Sequence, residues 1–194
     1  TSIFSPRRFL GLPGCIVVAM VFWSALAAAQ GSQWEESMKL GNQFRNQRRF
    51  PEAEKIYQAA IAEAENVGER TPQLAGSLSG LGAVFADQAK YAEAEPLYRK
   101  AAAILETTLG PEHTDLAMVL TGLALVEMKL GRLAESEPLY LRSLAILEKS
   151  LGPDHPKVGA ARVQLGDLLA AQKRPADAEA PYRAAIPTLR RAHG

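Results

Sequence analysis

The chain has 194 residues, with 22 Lys and Arg against 21 Asp and Glu, three His and one Cys. A formal charge of +1 argues against a dedicated nucleic-acid binder and against an acidic disordered tail. The lone cysteine excludes an intramolecular disulfide, and no Cys/His cluster exists to hold a structural zinc.

Arg7 and Arg8 precede an uncharged run from Phe9 to Gln33, densest in apolar residues from Cys15 to Ala29. Ala27 and Ala29 form an A-x-A exit ahead of Gln30. A positive start, an apolar middle and a small-residue exit predict a secretory signal peptide over residues 1–29. A membrane span needs about 20 apolar residues, and Gly11, Pro13 and Gly14 interrupt this run early. An uncleaved anchor over residues 9–29 is the alternative. Leu12-Pro13-Gly14-Cys15 superficially resembles a lipidation box but stands before the apolar run rather than after it. Removal of residues 1–29 leaves 20 basic and 21 acidic residues and no cysteine, which suits an oxidising compartment.

From residue 34 onward one unit is written four times. Tyr57, Tyr98, Tyr140 and Tyr182 recur at intervals of 41, 42 and 42 residues. They stand within PEAEKIYQAAI (51–61), YAEAEPLYRKAAAILE (91–106), LAESEPLYLRSLAILE (133–148) and PADAEAPYRAAIPTL (175–189). LGPEH (109–113) and LGPDH (151–155) separate units. A fixed period of this size predicts a solenoid. The units run over about 34–66, 72–107, 113–149 and 155–192.

Each unit reads as two helices. Leu74, Leu78, Leu81, Val84 and Phe85 form one apolar stripe; Tyr91, Ala94, Leu97, Tyr98, Ala101, Ile104 and Leu105 form the next. Pro51 and Pro175 mark second-helix starts, where a missing N–H is harmless. Gly110 and Gly152 suit helix C-caps, and Pro111 and Pro153 forbid continuation. The fourth unit carries Pro187 inside its second helix, which predicts a kink or an early end there. No strand-like alternation occurs between residues 34 and 192.

The chain resembles the tetratricopeptide repeat family. A small residue in the first helix is followed by Ala, aromatic and Ala in the second. These are Gly41, Ala53, Tyr57, Ala60; Gly82, Ala94, Tyr98, Ala101; Ala124, Ser136, Tyr140, Ser143; and Gly166, Ala178, Tyr182, Ala185. The period and the phrases AEPLY and LGPEH are similar to the kinesin light chain subgroup. The resemblance implies an all-α, right-handed α-solenoid of four hairpins. Helix-interior glycine costs about 1 kcal/mol against Ala. Its recurrence at one register predicts close approach of each unit's paired helices, with the tyrosine filling the space between hairpins.

No catalytic constellation stands out, and no cofactor or metal site is expected. His113 and His155 lie one repeat apart, which predicts a structural role in the linkers. No phosphate-binding loop is present. Glu93/Glu95 and Glu135/Glu137 read as solvated helix starts. Arg45, Arg48 and Arg49, with Glu52 and Glu54 nearby, read as a solvated face.

The resemblance places a partner-binding groove on the first helices. Unit one contributes Met38, Asn42, Arg45 and Asn46; unit two Ser79, Ala83, Ala86 and Asp87; unit three Thr121, Leu125, Met128 and Lys129. Val163, Asp167, Ala170 and Ala171 continue it in unit four. Small apolar residues with charges at the rims suit a peptide or a partner helix. Ser79-Gly80 and Thr121-Gly122 stand where kinesin light chain repeats carry Asn pairs, and the Lys/Asn clamp for C-terminal carboxylates is not reproduced. The function expected is a non-catalytic protein-binding scaffold, exported to the periplasm or the exterior. It needs no nucleic acid, and no membrane unless residues 9–29 stay attached. A membrane-anchored structural or assembly component of an envelope complex is the alternative. Self-association through the C-terminal hairpin is a further expectation.

Overall fold

The computed structural model describes residues 33–68 and 70–193; residues 1–29, expected to form a signal peptide, lie outside them. The described residues form eight α-helices and no strand. They are α1 (33–46), α2 (Phe50–Val67), α3 (Pro72–Asp87), α4 (Tyr91–Thr108), α5 (Thr114–Lys129), α6 (Leu133–Leu151), α7 (Pro156–Ala171) and α8 (Pro175–His193). Each helix from α2 onward packs on the next, and α3 also touches α5. The architecture is four hairpins side by side.

One turn, repeated four times, closes every hairpin. Arg48, Ala89, Gly131 and Lys173 have φ of 59°, 60°, 81° and 61°. In the first turn the amide of Arg49 bonds the carbonyl of Phe44, and that of Arg48 bonds Arg45. The same pair of bonds recurs at Lys90/Ala89, Arg132/Gly131 and Arg174/Lys173. This is the Schellman arrangement, which satisfies the last carbonyls of a helix through one left-handed residue.

Helix starts between units are capped by side chains. Thr71 Oγ1 accepts from the Leu74 amide at 3.1 Å. His113 Nδ1 accepts from Asp115 N at 3.2 Å, and His155 Nδ1 from Lys157 N at 3.1 Å. The linker histidines thus act as N-caps. Gly110 and Gly152 have φ of 92° and 82°, conformations that glycine adopts without strain.

Tyr57, Tyr98 and Tyr140 sit between hairpins, as expected, and Tyr182 packs on its own unit, but the glycines have a different cause. A Cβ at Gly41, Gly82 or Gly166 would meet the ring of that unit's own tyrosine, at 2.8, 3.2 and 2.6 Å. The ring, rather than the backbone of the paired helix, fills the space. A second glycine set faces the same rings from the next unit. Gly80 would place its Cβ 2.3 Å from Tyr57, and Gly122 2.6 Å from Tyr98. Each of these two rings is gripped on both sides by backbone. In unit three, Ser136 and Ser143 replace the alanines and are fully buried. Their hydroxyls donate to the carbonyls of Ala124 and Ala117, both at 2.7 Å.

The early end expected at Pro187 does not occur: α8 continues to His193 through both Pro181 and Pro187. A helix-interior proline removes one hydrogen bond. Ala185 and Thr188, both 1% exposed, keep this turn packed. Gly159 of α7 lies against Thr188 and Leu189.

Polar ladders tie successive units. Arg174 of unit four reaches Glu137 of unit three at 3.0 Å, and Lys90 of unit two reaches Glu54 of unit one at 3.9 Å. Arg132 makes the same bond to Glu95. Further along, Arg142–Glu106 (2.6 Å) and Lys100–Glu65 (3.4 Å) repeat the pattern. Pairs of this kind contribute little energy each; they recur with the repeat and follow the register that the apolar packing sets.

Candidate functional site

The first helices of units one to three border an open hollow of about 650 Å³. α1 brings Trp34, Met38, Asn42 and Arg45 to it. α3 brings Pro72, Gln73, Gly76, Ser79, Gly80 and Ala83, and α5 brings Asp115, Met118, Val119, Thr121 and Gly122. Tyr98 and Leu105 of α4 line it from the layer of second helices. The glycines and Ala83 keep the centre low, while Trp34, Met38 and Met118 present large apolar surfaces.

Most polar groups of the lining are already engaged. Trp34 Nε1 donates to Ser77 Oγ at 2.9 Å, which holds the indole against α3. Arg45 Nε donates to Asp87 Oδ2 at 2.8 Å, joining units one and two. Asn42 Oδ1 accepts from the Tyr57 hydroxyl at 3.0 Å. Ser79 Oγ donates to the Gly76 carbonyl at 2.9 Å. Thr121 Oγ1 lies 3.0 Å from the Ala117 carbonyl and 2.7 Å from Ser143 Oγ. Asp115 is the exception: His113 Nδ1, 3.7 Å from its Oδ2, already accepts the Asp115 amide, so the exposed carboxylate has no donor there. Burial pushes the Tyr98 hydroxyl up to about 12, so it stays protonated at neutral pH.

A smaller hollow of about 280 Å³ adjoins Arg45 and is lined by Asn46, Arg48, Phe50 and Asp87. Another of about 700 Å³ opens beside α2 and α4, where Glu65, Arg70, Lys100 and Thr107 line it. The Lys100–Glu65 ion pair already joins two of its walls, and no aromatic side chain lines it. It offers a ligand less than the hollow on the first helices.

The tetratricopeptide repeat profile matches residues 35–107, 73–126 and 115–191. The chain belongs to the tetratricopeptide repeat family. The family fold is a scaffold for protein–protein interaction. No curated protein matches the chain. Among solved structures it is similar to the nearly identical TPR-like repeats of a kinesin light chain candidate from Podosopora anserina. That match has 21% identity and a TM-score of 0.72, and covers 80% of this chain and 74% of the other. It is also similar to BtubC (BKLC) from P. vanneervenii, with 16% identity and a TM-score of 0.60 over 92% and 88% of the two chains. The TPR domain of Arabidopsis FLU matches with 21% identity and a TM-score of 0.55, over 62% of this chain and 99% of that one. At these identities the likeness is one of fold.

The tetratricopeptide array brings together only part of the expected groove. Met38, Asn42, Arg45, Ser79, Ala83 and Thr121 line the main hollow. Asn46 and Asp87 border the smaller one instead. Ala86 is half-buried against the core. Leu125 and Met128 pack on the cluster formed by Ala124, Tyr140, Leu165, Leu168, Leu169 and Ala178 between units three and four. Lys129 is exposed in the last turn of α5. In unit four, Val163 is half-buried, and Asp167, Ala170 and Ala171 are exposed.

The sequence reading missed Trp34, Gln73, Gly76, Asp115 and Met118, which lie toward the starts of the first helices. Stepping four residues back from Met38 gives Trp34; in units two and three the lining residues lie three back from Ser79 and Thr121 (Gly76, Met118) and six back (Gln73, Asp115), because four back falls on the buried Ala75 and Ala117. That periodic signal was available. Tyr98 was read only as a packing residue.

The described residues hold no group of three metal-binding side chains. None of their helices is long and apolar enough to cross a membrane. The most unusual ionisable cluster lies between units two and three. Glu127 is fully buried, with Arg132 Nε at 2.7 Å and Arg99 Nη2 at 2.5 Å. Burial raises its carboxyl above the ordinary range, with the neighbouring Glu95 adding to the rise. Hydrogen bonds from Arg132 and Arg99 hold Glu95 below it.

Proposed function

We propose that this chain is a non-catalytic scaffold that binds a segment of another polypeptide in the hollow bordered by α1, α3 and α5, and that it works outside the cytoplasm. The observation that carries the binding reading is the hollow itself. Exposed Met118 and half-buried Trp34 and Met38 stand around a floor kept low by glycines, on a fold whose family role is protein interaction. Arg45 is paired with Asp87 within the chain, while the Asp115 carboxylate stands exposed at the rim. Export rests on the pattern of Arg7, Arg8, the apolar run and the Ala27/Ala29 exit.

A photo-reactive amino acid placed at Ser79 tests the binding site, with one at Lys100 on a second helix as control. Crosslinks to a partner from position 79 and none from position 100 are expected; the reverse would overturn the site. Export is tested by N-terminal sequencing of the protein recovered outside the cytoplasm. A start at Gln30 is expected, and retention of the whole chain in the cytoplasm would refute it.

A further inference from the structure

Each second helix in units one to three carries a stripe that the next unit covers. Near its start Glu54, Glu95 and Glu137 take Lys90, Arg132 and Arg174 of the following unit. Toward its end Glu65, Glu106 and Glu148 take Lys100, Arg142 and Arg162. Between these anchors Tyr57, Tyr98 and Tyr140 are buried, and Ile61, Ala102 and Leu144 pack on the core.

In α8 the same four registers hold Glu179, Tyr182, Ile186 and Arg190. Steps of three and four residues place them on one side of the helix, and among the described residues no helix follows to cover them. Tyr182 is only half-buried, and Ile186 is 47% exposed.

Two features say what covers this face. The first is Arg190. Where the earlier units present a glutamate to a cation, α8 presents a cation, so a further unit of the same pattern would bring like charges together. The second is the other end of the array. Gln33, Glu36, Lys39 and Gln43 of α1 are exposed. They stand at the registers of Leu74, Ser77, Gly80 and Val84, which are buried in unit two. The first hairpin thus ends the array in a polar cap, and docking the last hairpin of another copy there would bury its charges.

The α8 stripe is instead complementary to itself. Glu179 and Arg190 stand eleven residues apart, about 16 Å along a helix, with Tyr182 and Ile186 between them. Two such helices laid antiparallel about a two-fold axis bring Glu179 of each against Arg190 of the other, and the apolar side chains meet in the middle. Glu179 holds Arg183 on its own helix, an exposed pair that yields readily. We infer that the chain forms a two-fold dimer through the α8 stripe, closed at both ends by Glu179–Arg190 pairs. No residue of unit four lines the hollow on the first helices, so this goes beyond the binding reading and stands without it.

The test is sedimentation equilibrium of the full chain and its charge variants. Residues 1–29 are the same in all of them, so association through that segment is indifferent to the changes. A reversible dimer is expected. Glu179→Arg and Arg190→Glu each oppose like charges at both ends and should raise the dimer dissociation constant about tenfold. The double variant Glu179→Arg/Arg190→Glu should restore the dimer, and so should mixing the two single variants, whose stripes match each other. Ile186→Glu, at the centre of the stripe, should also break it. Circular dichroism should be the same throughout, since these side chains face solvent. A chain that stays monomeric at every soluble concentration overturns the proposal. So does a dimer that the single variants leave unchanged, or a double variant no tighter than the singles. Growth beyond the dimer would show stacking on α1 and refute the two-fold arrangement.

Discussion

Glu127 occupies the register at which the other units carry Phe44, Phe85 and Leu169. In units one and two the basic residue after the turn stacks on that phenylalanine. Arg49 lies 4.5 Å from the Phe44 ring centre, and Lys90 lies 5.5 Å from that of Phe85. In unit three Arg132 meets a buried carboxylate instead. Replacing a whole buried ion pair by packed apolar residues is often neutral or stabilising by about 1–4 kcal/mol, whereas removing one partner is costly when the other stays buried; here Arg99 and Arg132 reach solvent and keep Glu95 as a partner. Glu127→Phe should therefore hold or raise the urea midpoint at neutral pH, with Arg132 stacking as its counterparts do. The pH sign follows from burial. A carboxyl raised in the folded state favours folding below its ordinary value, and that contribution is lost as pH rises through the folded value. Wild type should fall behind Glu127→Gln at neutral pH and close the gap as acid is added. A gap that widens in acid would contradict the burial account. Glu95 works the other way, because its contribution is present above the ordinary carboxylate range and lost in acid.

The tyrosine rings set a second residue-scale limit. Gly80→Ala would put a methyl 2.3 Å from the Tyr57 ring, and overpacking of this kind costs about 1–3 kcal/mol. Tyr98→Ala removes a whole buried ring and should cost about 3–5 kcal/mol. Both losses are measured by denaturant unfolding, and coincident curves for wild type and Tyr98→Ala would refute the packing of the ring.

At the scale of the element, every hairpin depends on one left-handed residue. Three of the four positions carry Arg48, Ala89 and Lys173, and only unit three has glycine, Gly131. L-residues pay about 1–2 kcal/mol in that conformation. Gly131→Ala should destabilise by about 1 kcal/mol, since nothing lies within 4 Å of the added methyl and the backbone angle alone is changed. Ala89→Gly should shift the melting midpoint the opposite way. Loss of stability in Ala89→Gly would show that chain entropy outweighs the strain there.

The helices were legible because apolar spacing, Gly-Pro linkers and the tyrosine period all agree. The left-handed residues were not, since nothing in Arg48 or Lys173 announces a positive φ; neighbouring contacts impose it. The hollow was half legible. Residues carried over from the resemblance fell on the right helices, but Leu125 and Met128 turned to the joint with unit four because the tertiary stacking claims them. Persistence of α8 through Pro187 has the same origin, in burial of Ala185 and Thr188 that local propensity does not register.

For the whole molecule, stability is distributed along a line. Interior units have neighbours on both sides and terminal units on one, and such arrays are held together largely by nearest-neighbour contacts. In the monomer, amide hydrogen exchange should therefore be slowest in α3–α6 and fastest in α1 and α8. Uniform protection from α1 to α8 would show a single cooperative block instead. The hollow spans α1, α3 and α5, so a ligand bound there would couple a terminal unit to the interior and slow exchange in α1.

The rung that joins Arg132 to Glu95 is formed again by Arg174 and Glu137, with the donor always on the later unit and the acceptor on the earlier one. Such a joint is directional and self-matching, like the stud and socket of a building brick. A duplicated segment 72–113, spliced in after itself, would present Glu95 backward-compatible to its own copy's Lys90 and still offer an acceptor to Arg132. Lengthening by whole units is thus open to this protein, whereas insertion of a partial unit would misalign the rung that spans it.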